Sequence, residues 1–301
     1  CMMQREKAGG HTERSVAIGT IETTLWDAVA KIEGKPLHRV LADRYSGGKL
    51  VDKVFCYVGG GWYTPGQTFK DVQDEMRRHL DDGYTMVKMK VGGLPLAEDM
   101  KRVEAVKSIL PSGTLLAVDA NCKFQRDEGL AYAKALKQFD LRWFEEPSHP
   151  VDYAGNSRFI ELYGNAVATG ENHYTRFEFS RLIEDNVITI FQPDVSKTGG
   201  ITEVMRIAHM ASAYKIQVNP HSSMTGINMA ACIHVLASID NGGYFEGDVS
   251  KNNLFRDELV STPYTVDKNG WVLPLEAPGL GVEVDENFLI KHPVIEGPSY
   301  V

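Results

Sequence analysis

Asp119, Glu145 and Glu171 stand 26 residues apart, in LLAVDAN, WFEEP and VATGEN. Each closes a short apolar run and precedes a helix-like stretch, so the interval is one strand–helix unit repeated. Three acids then fall at the same end of three neighbouring parallel strands, which lie about 4.8 Å apart. An all-oxygen set of that kind suits a hard divalent cation, Mg²⁺ before others, and leaves coordination positions for an anionic substrate. Single acids at strand ends commonly cap helices or pair with surface lysines; three at equal spacing argue for the metal. Glu146 competes with Glu145 as ligand, and the spacing favours Glu145.

Other groups fall at the same end of the strands. Lys88 and Lys90 in VKMKV alternate, so both project to one face while Met89 projects to the other. Two ammonium groups held close disfavour each other's charge, which lowers the pKa of one toward a useful base. The apolar neighbours Met86, Val87 and Val91 speak against a solvent-facing strand. Asp194 in FQPDVS and His221 in VNPH close the next two strands in the series. A carboxylate beside an imidazole fixes its tautomer and favours its protonated form. Lys90 and His221 would then flank a central substrate as proton acceptor and proton donor. Glu246 in YFEGD closes the last strand, either as a substrate contact or as a local salt bridge. Asn121 is placed to orient a ligand. Lys197 in SKTGG lacks the spacing of a phosphate-binding loop; Gly199 and Gly200 fit better as the entry to a helix.

The elements that must position these residues alternate. The strand signals are 53–58, 85–91, 114–120, 142–147, 166–171, 188–195, 216–220 and 244–247. Helical periodicity lies between them, with Phe69, Val72, Met76 and Leu80 on one face and Met100, Val103, Val106 and Leu110 on another. Eight such units in roughly 200 residues predict a (β/α)₈ TIM-type barrel, an α/β fold with its chemistry at the carboxyl ends of the strands. Before the barrel, residues 11–32 read as one amphipathic helix with Val16, Ile21, Leu25, Val29 and Ile32 on a stripe, followed by a second helix in KPLHRVLADRY. Beyond residue 250 the text breaks into Pro/Gly-rich strand-like pieces.

Bulk composition agrees. A chain of 301 residues that is 43% hydrophobic can bury a full core. Its net charge of −8 is diffuse, so nucleic acid and membrane are excluded as expected partners. Cys1, Cys56, Cys122 and Cys232 show no metal or CxxC spacing, and reduced thiols point to a cytoplasmic protein.

Taken jointly, the double lysine, the three acids and the Asp–His pair resemble the enolase superfamily, mandelate racemase subgroup. KAGGHTERS, NPHSSMTGINMAA and YFEGDVSKNNLFRDELVS look most like the D-tartrate dehydratases of that subgroup. The resemblance implies Mg²⁺ on Asp119, Glu145 and Glu171, with Lys90 as the base on the α-proton. Lys88 would tune that base and hold the substrate carboxylate. His221, oriented by Asp194, would expel the β-hydroxyl as the acid, and the enol product would ketonise to a 2-keto acid. It also implies that residues 1–50 are the last helices of a capping α+β domain, that 51–250 form the barrel, and that 251–301 pack back on the cap. Lys7 and His11 would then stand near the mouth of the site without an assigned role. Family members are often symmetric, so a homo-oligomer acting on a small sugar-acid dicarboxylate is expected. The same residues permit racemisation or epimerisation of a 2-hydroxy acid or dehydration of another aldarate. Cycloisomerases of the superfamily carry a lysine on strand six, where this chain has Asp194. An alternative of another class is a non-catalytic barrel that binds acidic ligands.

Overall fold

The computed structural model describes residues 11–164, 166–185 and 188–295. The alternating pattern becomes eight parallel strands: β1 (Val54–Gly60), β2 (Met86–Lys90), β3 (Leu115–Asp119), β4 (Phe144–Glu145), β5 (Val167–Thr169), β6 (Ile190–Phe191), β7 (Gln217–Val218) and β8 (Tyr244–Gly247). They pair in the order β7-β6-β5-β4-β3-β2-β1-β8. The seam between β7 and β8 is drawn together by Val218, whose N–H donates to the Asn241 carbonyl at 2.9 Å and whose own carbonyl accepts from Gly243 at 3.0 Å. The result is the expected TIM-type barrel, nearly closed.

Alternation sorts the strand residues onto two faces. Tyr57, Met86, Ala117, Trp143, Ala168 and Ile190 pack together inside the barrel, with Phe55, Leu115 and Tyr244 against them. Val58, Val87, Met89, Val118, Phe144 and Phe191 point outward into the larger core shared with the helices. That plug fills the lower barrel and leaves polar strand ends at the other. Strand 188–195 proves shorter than its apolar run suggests. Pro193 has no N–H to continue a ladder, and only Ile190–Phe191 pair fully.

The barrel helices are α3 (Phe69–Asp81), α4 (Leu96–Lys107), α5 (Arg126–Leu136), α6 (Tyr153–Tyr163), α7 (Thr175–Glu184), α8 (Ile201–Ser212) and α9 (Gly226–Ser238). Val72 and Met76 of α3 and Val103 and Val106 of α4 are buried, as their periodicity predicts. The first helix, α1 (His11–Ile32), corrects an expectation. Its apolar stripe faces outward: Ile21 and Leu25 are half exposed and Ile32 is 86% exposed. The opposite face, Ser15, Gly19, Thr23, Trp26 and Ala30, is the buried one. Gly19 decides this, because a Cβ there would stand 2.6 Å from the Ser196 carbonyl oxygen. A bulkier face could not approach the β6–α8 loop so closely.

After α2 (Leu37–Tyr45) and the barrel come α10 (Leu254–Asp257), β9 (Trp271–Val272) and α11 (Glu286–Lys291). Strand β9 pairs antiparallel with β1. Further along, Leu37 N–H donates to the Gly279 carbonyl at 2.8 Å, and Leu280 N–H donates to Asp27 Oδ1 at 2.8 Å. The last described segment therefore touches both the barrel and the first two helices. Cys56, Cys122 and Cys232 are free thiols; Cys1, Lys7 and the side chain of His11 lie outside the described residues. No helix among the described residues is long and apolar enough to cross a membrane.

Candidate active site

Strand register places the acids and lysines side by side. Lys90 is level with Asp119, and Asp119 with Glu145. These neighbours lie at the carboxyl end of the barrel, and Glu145 is level with Ala168, so equal spacing holds from Asp119 to Glu145 but leaves Glu171 three residues further along. Glu171 lies two residues beyond β5, and Asp194 and His221 lie three residues beyond β6 and β7.

Lys88 is the electrostatic centre. Its Nζ donates to Glu145 Oε1 at 2.5 Å and to Glu246 Oε1 at 2.7 Å, and stands 3.5 Å from Asp119. Burial opposes its charge, but Glu145 and Glu246 outweigh burial and raise its pKa well above the usual value. The lowering expected from its twin lysine therefore does not occur at Lys88, because three carboxylates surround its ammonium. Lys90 Nζ donates to Asp119 Oδ2 at 2.5 Å. Burial works to raise Asp119, yet the charges of Lys88 and Lys90 hold it below the normal carboxylate range.

His221 Nδ1 lies 2.5 Å from Asp194 Oδ2, and its Nε2 lies 3.2 Å from Glu171 Oε2. Burial disfavours the imidazolium, but the Glu171 charge and the Asp194 hydrogen bond prevail and raise His221 to about 10. Asp194 is itself held by Ser196, whose hydroxyl and N–H both donate to its Oδ1. This fixes the ring with Nε2 facing the site. Glu246 is locked between Lys88 and the Ser222 N–H, 3.2 Å from its Oε2, so the salt-bridge reading of that residue has a counterpart in the geometry. Asn121 is exposed, and its backbone N–H donates to Asp119 Oδ1 at 2.8 Å.

Several residues of the site had not been singled out in the sequence. Trp143 Nε1 and Gln192 Nε2 both donate to Glu145 Oε2, at 3.0 and 2.8 Å. Trp143 was accessible to reasoning, since it sits two positions before Glu145 on the same strand face. Asn172 donates to Glu146 Oε1 at 2.9 Å. Asn121, Cys122 and Glu146 adopt positive φ of 46°, 58° and 43°, a costly conformation for non-glycine residues that gathers at functional sites. At Glu146 burial and then the Glu171 charge push the carboxyl pKa up; at Glu145 burial and the Asp119 charge do the same.

The three expected ligands do not form a closed cage. Among the described residues, no three His, Cys, Asp or Glu side chains are close enough together to hold a metal ion. Lys88 holds Glu145, Lys90 holds Asp119 and His221 holds Glu171, each carboxylate with its own cation. The donor set nevertheless fits a hard divalent cation. Asp119, Glu145, Glu146, Glu171, Asp194 and Glu246 face Lys88, Lys90 and His221, with Lys197 beside Asp194, so carboxylates outnumber the site's cations. Glu146 Oε2 is buried without a hydrogen-bond partner. Excess buried negative charge with an unpaired oxygen is what such an ion relieves.

Residues 71–288 match the family described as Enolase C-terminal domain-like. An arabinonate dehydratase from Saccharolobus solfataricus is 32% identical over 268 residues, covering 89% of this chain and 69% of that protein. A 3,6-anhydro-alpha-L-galactonate cycloisomerase from Streptomyces coelicolor is also 32% identical, over 92% of this chain and 71% of its own length. Similarity alone thus does not separate the dehydratases from a cycloisomerase. Among solved structures, a member of the enolase superfamily from Polaromonas sp. JS666 superposes with a TM-score of 0.90 at 36% identity, covering all of this chain and 77% of that one. A racemase from Streptomyces coelicolor A3(2) with bound magnesium gives 0.84 at 30% identity, over 96% of this chain and 75% of its own. With this barrel, this array of strand-end acids and bases, and a family match across most of its length, the chain belongs to the enolase superfamily.

Proposed function

We propose that the chain is an Mg²⁺-dependent acid-sugar dehydratase, with D-tartrate as substrate and oxaloacetate and water as products. The observation that carries this reading is the placement of Lys90 on β2 and His221 beyond β7, with the buried carboxylates between them. The dehydratases among its relatives support the reaction class. Tartrate rests on the motif likeness alone.

The chemical difficulty is that a proton beside a carboxylate is a very weak acid. A divalent cation held by Asp119, Glu145 and Glu171 would bind the substrate carboxylate and offset the charge that develops there, as is familiar for this superfamily. Lys88 adds its ammonium to the same region. Lys90, in its neutral amine form, takes the α-proton from one side. The electrons of that C–H bond become the new C=C bond as the β C–O bond breaks. His221 Nε2 gives its proton to the departing hydroxyl, which leaves as water. Asp194 keeps Nδ1 occupied, so the proton to be transferred sits on the nitrogen that faces the substrate. The enol then ketonises. Residues 1–50 would belong to a capping domain and 251–301 to an extension folded back on it, which the contact of Leu37 with Gly279 supports.

The test is solvent-deuterium exchange at the α-carbon, with Mg²⁺, across tartrates, aldarates and aldonates, combined with keto-acid detection. Exchange with keto-acid release from D-tartrate supports the full proposal. Release from another acid sugar retains the dehydratase and replaces the substrate. Exchange without keto acid points to a racemase or epimerase. No exchange with any acid, in a chain carrying its complete capping domain, favours a non-catalytic binder.

A further inference from the structure

The connection between β1 and α3 is stapled to the backbone of Lys90. Arg102 of α4 is buried. It donates to the Lys90 carbonyl at 2.9 Å, to the Gly61 carbonyl at 2.5 Å and to Gln67 Oε1 at 3.2 Å. Its guanidinium also lies 4.1 Å from the Tyr63 ring centre. Asp99, one turn earlier and fully buried, accepts from the Tyr63 hydroxyl at 2.7 Å, the Tyr132 hydroxyl at 2.8 Å and the Gly92 N–H at 2.6 Å. Gly61 turns the chain with φ of 65°, and a Cβ there would stand 2.8 Å from Met89 Cβ, so the loop lies directly on β2.

Two buried charged side chains with this many hydrogen bonds define one loop conformation. Its consequence is the place of Trp62. The indole is 56% exposed, yet Lys90 Nζ sits 4.5 Å from its ring centre. The ring also borders an open groove of about 760 Å³ with Thr64, Gln67, Ser250 and Lys251 on its walls. An exposed indole gains little from solvent; over an ammonium it supplies a directed cation–π attraction.

We infer that Trp62 is a positioning residue for Lys90: the indole roofs the ammonium and confines it to the mouth of the barrel, and the Asp99–Arg102 staple holds the roof. The inference rests on the reading of Lys90 as the base. Proton transfer depends steeply on placement, and an error of about 1 Å is enough to cost about a hundredfold in rate.

Two measurements test it. Subtracting the emission of Trp62→Phe from that of the wild type isolates the Trp62 signal. That signal shifts in Lys90→Met, and its quenching by acrylamide increases in Arg102→Lys. An unshifted signal in Lys90→Met overturns the inference. In α-proton exchange, Trp62→Ala lowers kcat about ten- to a hundredfold with KM held within about threefold, and Trp62→Phe restores most of the loss. Wild-type kcat in Trp62→Ala overturns the inference, as does an equal loss in Trp62→Phe. If the wild type with its complete capping domain exchanges no acid, the base assignment of Lys90 falls, while the emission measurement still decides whether the indole lies on the ammonium.

Discussion

His234→Gln should remove a specific part of this protein's acid sensitivity. His234 is buried in α9, with His38 of α2 on one side and the C-terminal segment on the other. Its Nε2–H donates to the Leu280 carbonyl at 3.0 Å, leaving Nδ1 as an acceptor for the His38 backbone N–H at 3.1 Å. His38 Nδ1 lies 3.1 Å from the same nitrogen, and the rings stack with centres 5.2 Å apart. A second proton on His234 would point an N–H at an N–H in a dry site. Burial accordingly lowers its pKa to about 4, against the opposing effect of the Leu280 carbonyl. In the unfolded chain it protonates near 6.5. The unfolded state thus binds the extra proton first. The contribution of His234 is fully present above pH 6.5 and is lost as pH falls toward 4. At 1.36 kcal/mol per pKa unit the loss is about 3 kcal/mol, a large share of a typical total stability of about 5–15 kcal/mol. His173 is also held near 4 by burial, and His38 is lowered by burial, so the wild-type slope contains several groups. The informative quantity is the difference between wild type and variant in urea unfolding at pH 7, 6, 5 and 4.5. The variant should be less stable at pH 7, with the gap closing by about 1.4 kcal/mol per pH unit below 6. A gap of constant size would refute the argument.

Three further outcomes follow from the site. Lys88→Met leaves Glu145 and Glu246 without their shared ammonium, so unfolding free energy at pH 7 in chelator should fall by about 3–5 kcal/mol; an unchanged urea midpoint would show that the pair contributes nothing. Lys90→Ala should reduce α-proton exchange by about 10²–10⁴-fold while calorimetry still records Mg²⁺ binding, and near-wild-type exchange would remove Lys90 from the base role. Mg²⁺ at a hundred times its dissociation constant should stabilise the wild type by about 2.7 kcal/mol. Asp119→Asn should abolish that gain, and a variant stabilised equally would place the ion elsewhere.

Much of this site can be read from spacing alone. The 26-residue interval predicts that Asp119, Glu145 and Glu171 fall at one end of neighbouring strands; Asp119 and Glu145 stand level in the register, whereas Glu145 is level with Ala168, three residues before Glu171. Such periods are local, because a strand must alternate its faces and a strand–helix unit must return to the same end of the sheet. What local rules do not carry is the competition among partners far apart in the chain. Lys88 takes Glu145 and Glu246, 57 and 158 residues away, because a buried ammonium settles where carboxylates are densest. The first helix turns the face that carries Gly19 inward because closeness of backbone at that point, not the apolar stripe, governs its contact with the β6–α8 loop. Trp62 comes to rest on Lys90 only through Arg102 and Asp99 on a third element. Composition and period thus determine the barrel and the end of it that reacts. Packing and charge balance in three dimensions decide which side chain meets which.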